Sequence, residues 1–212
     1  MRQIITVVVL AITFNSTNLF SQNDSIKYTF NYRFVDGIYR SFEEFKKNDP
    51  SIDEKAIIAD NPEVQFLIGN FAKVEKIAFL DSTGQLQKLK RDEVWGYCSK
   101  GAVYIMVNNN FHRIVKIGSI MHFAESHNKF FYSRQMPVSG INKPNKYIQY
   151  MIDFNTGELM KFKLENFLIL LKHDEELYEQ FNSFKSNSQK KKMMFLYLNK
   201  FNQRNPIYFE VY

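Results

Sequence analysis

Two imidazoles and a carboxylate fall close together in His122-Phe123-Ala124-Glu125-Ser126-His127. That donor set could hold a transition metal and, through it, activate water for hydrolysis. The spacing is not that of the helical zinc box, whose histidines lie one turn apart on a shared face. Histidines five apart point to different faces of a helix and to opposite faces of a strand, so His122 and His127 meet one ion only if a turn intervenes at Ala124 to Ser126. A second candidate is Cys98 as a nucleophile with His112 or His122 as its base, which would also require an orienting acid and oxyanion donors. The simpler reading of Trp95-Gly96-Tyr97-Cys98 is a small buried thiol among large rings. The carboxylate pairs Glu43-Glu44, Asp92-Glu93 and Glu175-Glu176 read as solvated faces rather than as a glycosidase pair. The chain holds no Gly-x-Ser-x-Gly elbow, no phosphate-cradling glycine loop and no Cys-x-x-Cys. No catalytic, cofactor-binding or metal-ligating residue is therefore assigned, and no cofactor is expected.

The elements that would carry these residues are mostly strands. The composition points the same way, with 21 Phe and 12 Tyr against one Trp and 8 Gly, since Phe and Tyr favour pleated, half-buried surfaces. Lys27 to Phe34 alternates ring and polar residue, the period of a strand with one buried face. Ser41 and Glu44 form a capping-box pattern that opens a short helix ending at Asn48-Asp49-Pro50, and Ser51 to Glu54 repeats the pattern. From Val64 to Phe154 short strands alternate with turn chemistry: Val74 to Leu80 with Gln85 to Lys90, Val94 to Cys98 with Val103 to Val107, then Phe111 to Ile117, a run after Gly118 to Phe123, and Lys129 to Arg134. Met136 to Asn145 reads as a loop. Tyr147 to Phe154 and Glu158 to Leu164 form the clearest hairpin, turning at Asn155-Thr156-Gly157. Helical spacing then takes over through Leu164, Phe167, Leu168 and Leu171, a segment capped by Asp174, and the stripe Met194, Tyr197, Leu198 and Phe201 before Asn205-Pro206. Strands first and helices last predict an α+β fold: an antiparallel sheet that could close into a barrel, followed by C-terminal helices that end the chain.

The address is written at the start. Arg2, the apolar run from Ile4 to Phe14 and the polar Asn15 to Asn18 ahead of Leu19-Phe20-Ser21-Gln22 have the layout of an export leader. The run is too short for an anchored membrane helix. An apolar strand is the competing reading of the same β-branched residues. Residues 1–22 are expected to be removed, leaving residues 23–212 as a single α+β domain, periplasmic or extracellular, with no transmembrane anchor after cleavage. A lone Cys98 can form no internal disulfide, so such a domain must rest on packing. The formal charge is +6; the leader carries Arg2 and no acid, so the remainder carries +5. Mild, dispersed basicity suits an anionic glycan or an envelope protein and falls short of the stripe that nucleic acid requires. The densest cluster, Lys190-Lys191-Lys192, reads as a solvated helix face, with an anionic contact surface as the alternative.

Gly37-Ile38-Tyr39-Arg40-Ser41-Phe42-Glu43-Glu44-Phe45 with Asn48-Asp49-Pro50, Val94-Trp95-Gly96-Tyr97, and the tail from Asp174-Glu175-Glu176-Leu177-Tyr178 to Asn202-Gln203-Arg204-Asn205-Pro206 together resemble a family of exported proteins of Bacteroidota-type bacteria with no assigned activity. The Phe20-Ser21-Gln22 exit also resembles leader ends of that group. The resemblance implies compartment and single-unit architecture and carries over no functional residue. The function expected from the sequence is that of a non-catalytic exported binding or structural module of the cell envelope; the alternative is a metal-dependent periplasmic hydrolase using His122, Glu125 and His127.

Overall fold

The computed structural model describes residues 25–58, 76–126 and 147–210. The segment expected to be a leader, the strand expected at Lys129 to Arg134 and the loop expected at Met136 to Asn145 lie outside them, as does His127. In chain order the strands are β1 (Ser25–Lys27), β2 (Gly37–Tyr39), β3 (Ile52–Asp53), β4 (Ile57–Ile58), β5 (Lys76–Leu80), β6 (Leu86–Lys90), β7 (Gly96–Ser99), β8 (Ala102–Val107), β9 (Asn110–Lys116), β10 (Ile120–Ser126), β11 (Tyr147–Asp153), β12 (Leu159–Lys161) and β13 (Tyr208–Glu210). The helices are α1 (Phe42–Lys47), α2 (Leu164–Leu171), α3 (Glu175–Asn182) and α4 (Asn187–Arg204).

The expected α+β architecture forms. An antiparallel sheet runs in the order β12-β11-β10-β9-β8-β7-β2-β3, with α2 to α4 following it in the chain. It does not close into a barrel, because β12 and β3 remain as edges. Neighbours in sequence are neighbours in space from β7 to β12, and the turn residues explain why. Lys100 and Gly101 have φ of 53° and 73°, and Asn108 and Asn109 have φ of 50° and 60°. Paired left-handed residues make the tight turn whose twist matches antiparallel strands.

Side chains alternate across the sheet and feed two cores. One face gathers Phe34, Tyr39, Phe45, Phe123, Tyr150, Ile152, Phe154 and Phe209. The other places Ile120 and Met151 under the helices, against Phe167, Leu170, Phe181 and the α4 stripe Met194, Tyr197, Leu198 and Phe201. A small sheet, β4-β5-β6, packs with Ile38 and Tyr97 in a third cluster.

Polar docking fixes α4. The Asn202 side chain accepts from Ile120 N–H at 2.8 Å and donates to Ile120 C=O at 2.8 Å. Strand β9 pairs with β10 only from His122 onward, opposite Lys116, so the amide of Asn202 stands where a strand partner is missing. A methyl group on Gly118 would lie 2.6 Å from the Asn202 side chain, which explains the glycine. Ser119 Oγ also donates to Asn205 C=O. Arg204 joins Asp174 and Glu176 at 2.7 Å each, tying the end of α4 to the start of α3.

Three expectations change. The segment Lys27 to Phe34 is not a strand beyond Lys27: it turns at Thr29 to Tyr32, where Tyr32 N–H bonds Thr29 C=O at 2.9 Å. Tyr28, Tyr32 and Phe34 instead pack on Phe209 while Phe30 is exposed, and Asn48 bonds Arg33 C=O and Val35 N–H in place of a neighbouring strand. Asp53, not Ser51, caps the short turn Glu54–Ala56, accepting from Lys55 N–H at 2.8 Å. Helices do not end the chain, for β13 follows α4 and pairs antiparallel with β1. By contrast the Ser41 cap forms as expected, and α1 stops at a left-handed Asn48. No helix among the described residues is long and apolar enough to cross a membrane.

Candidate functional site

Strand β10 passes through the middle of the large sheet, so its residues alternate between the two cores. Phe123 joins the core beneath Phe209, whereas Ile120 faces the helices. Glu125 shares the Phe123 side: its Oε2 accepts from Tyr150 Oη at 3.1 Å and from Asn108 Nδ2 at 3.0 Å. His112 stacks on Phe123 nearby and bonds Val107 C=O. Burial lowers the His112 pKa, against the opposing pull of Glu125. His122 points the other way, where its Nε2 bonds Gln149 Oε1 at 3.1 Å and its ring meets Phe162 and Phe195 edge-on. His122 and Glu125 therefore cannot share an ion. Among the described residues no three His, Cys, Asp or Glu side chains gather as a metal group. The Glu125 cluster has the form of a satisfied buried network that anchors the β8–β9 turn to β11.

Cys98 is fully buried. Its Sγ donates to Asp36 Oδ1 at 3.2 Å, and Asp36 also accepts from Lys100 N–H and Gly101 N–H of the β7–β8 turn. Burial pushes the thiol up, and the adjacent Asp36 pushes it further, so the thiolate needed for attack is disfavoured. The two histidines that could have served it are committed elsewhere, to Val107 and to Gln149. Native protein is expected to resist bulky thiol reagents until unfolded, and Cys98→Ala to cost about 1–2 kcal/mol of stability. Rapid labelling of the native thiol would contradict this burial.

The helix-facing side of β10 and β11 opens into a cleft of about 590 Å³, within the range of small-molecule sites. Gln149 lies at its base beside the buried His122, and Phe162 and Phe195 form an aromatic wall with ring centroids 5.0 Å apart. Lys163 and Glu165 border it from the start of α2, and Lys191 from α4. Helix α2 begins at Lys163 without a side-chain cap, which leaves first-turn amides without that partner. Burial lowers the His122 pKa, against the pull of the Gln149 bond, so the imidazole is neutral at pH 7. A neutral imidazole protonated at Nε2 would donate to the Gln149 oxygen and so hold the amide in place. A second groove of about 740 Å³ lies beside β1 and the end of α1. There the Asn48 side chain is already committed to Val35, Tyr39 and Arg33.

Of this cleft, the sequence shows the lysine cluster that contains Lys191, the apolar positions Phe162, Leu164 and Met194 read as buried faces, and His122 in a different role. Gln149, Lys163 and Phe195 carry no such reading. The available signal was Phe195, a large ring off the apolar stripe of a basic helix and 44% exposed.

A family model described as a family of unknown function (DUF6563) matches residues 37–205, from the start of β2 to just past α4. No curated protein and no solved structure matches the chain.

Proposed function

We propose that this chain, which belongs to the family of unknown function DUF6563, is a non-catalytic exported module of the cell envelope that works by binding. The observation that carries the reading is the cleft beside α4. An exposed aromatic, an oriented amide and lysines from two helices converge there on one concave surface, the composition of a recognition site. No activated nucleophile stands in it. The leader at residues 1–22 supports export, and residues 23–212 form the working α+β unit. Its partner is an anionic glycan or an envelope protein, in keeping with the mild positive charge. A metal-dependent hydrolase would draw on His122 and Glu125 together, and their placement on opposite faces of β10 lends it no support.

Two measurements test the reading. Amino-terminal sequencing of the protein from its native host should begin at Gln22 or Asn23, whereas an intact Met1 in soluble cytoplasm would defeat the export claim. The protein made from residue 23 should cosediment with purified envelope material, and Phe195→Ala should reduce the bound fraction severalfold while the variant stays folded at the assay temperature. Equal recovery with and without envelope material would end the binding reading.

A further inference from the structure

Resting on that binding reading, we propose that the cleft between α4 and the start of α2 is a subsite for a sugar carrying one carboxylate, a uronic acid unit of an acidic glycan. Each wall answers one part of such a ligand. Phe195, 44% exposed yet fixed edge-on against His122 at 4.9 Å, offers a ring face for the apolar side of a pyranose. Phe162 sits behind it, so the wall is preformed. Gln149 gives its oxygen to His122, and its amide N–H groups are donors for ring or hydroxyl oxygens.

Charge narrows the class. Lys163 and Lys191 border the cleft from different helices, and Glu165 stands beside them. Two positive charges and one negative leave +1, which balances a single carboxylate and leaves a phosphate dianion only half neutralised. Glu165 is also an acceptor for sugar hydroxyls, a role a purely basic patch would lack. Of the Lys190-Lys191-Lys192 run only Lys191 borders the cleft, whereas Lys190 donates to Asn182 at 2.9 Å.

The test compares oligogalacturonate with its fully methyl-esterified form, the same chain without charge, by titration calorimetry on the protein from residue 23. The acidic oligomer is expected to bind at least about tenfold tighter than the ester. Phe195→Ala and Lys191→Glu should each weaken it about tenfold while circular dichroism shows both variants folded at the assay temperature. Lys88→Glu on β6, with the same charge change outside the cleft, should have less than about a twofold effect. Equal affinity for acid and ester, both lost in Phe195→Ala, would overturn the carboxylate assignment while the binding reading stands. Binding of the acid that falls equally in Lys88→Glu and ignores Phe195→Ala would show mere charge attraction and overturn the subsite. No heat with either oligomer at millimolar concentration overturns it too; envelope cosedimentation that persists would then locate the error in the ligand class, and its loss would remove both readings.

Discussion

Asn202→Leu should destabilise the fold by about 3–5 kcal/mol, although leucine suits a helix better than asparagine does. The amide of Asn202 makes two 2.8 Å bonds to the backbone of Ile120, a residue that is itself buried. Leucine would leave an N–H and a C=O of the buried Ile120 without their partner, and each such group costs about 1–3 kcal/mol. Gly118→Ala should act through the same contact, because its methyl group would press on the Asn202 side chain. The two substitutions combined should then cost less than the sum of their separate effects. Urea unfolding of the three variants checks this. A Leu variant within about half a kcal/mol of the parent would mean that water or a shifted α4 satisfies Ile120.

Phe209→Ala should cost a similar amount, about 3–5 kcal/mol. Phe209 is fully buried from a three-residue strand near the end of the chain. Tyr32 stacks on it at 4.6 Å, Phe34 meets it edge-on at 5.3 Å and Phe154 at 5.5 Å, so alanine would open a cavity where three segments of the chain converge. The neighbouring Tyr208 is 52% exposed, and Tyr208→Ala should stay within about half a kcal/mol. Thermal unfolding followed by near-ultraviolet dichroism reads both. Equal effects at 208 and 209 would show that β13 contributes through backbone pairing rather than through its buried ring.

What could be read from the sequence was what local chemistry decides. The Ser41 and Asp174 caps, the turns at Lys100-Gly101 and Asn108-Asn109, the hairpin closed by Gly157 and the buried stripe of α4 all rest on residues a few positions apart. The segment after Lys27 misled because alternating rings also suit a turn whose side chains find partners elsewhere in the chain. Strand β13 was too short to show a period, and its reason for existing is β1, at the other end of the sequence. The candidate site followed the same division. Glu125 and His122 are three apart, which on a strand means opposite faces, but the run after Gly118 reads from sequence as ending at Phe123. The cleft joins Gln149, Lys163 and Phe195 from separate elements, a coincidence that only packing creates.

The pairing of β1 with β13 also governs timing. Synthesis makes Ser25 to Lys27 before the large sheet and the helices and Tyr208 to Glu210 after them, so β1 waits for its partner until all of those elements have been made. Until then Phe34, Phe45 and Phe154 lack the ring that covers them. Closure of this core is therefore a late step, and the unfinished product stays pliable until β13 is made.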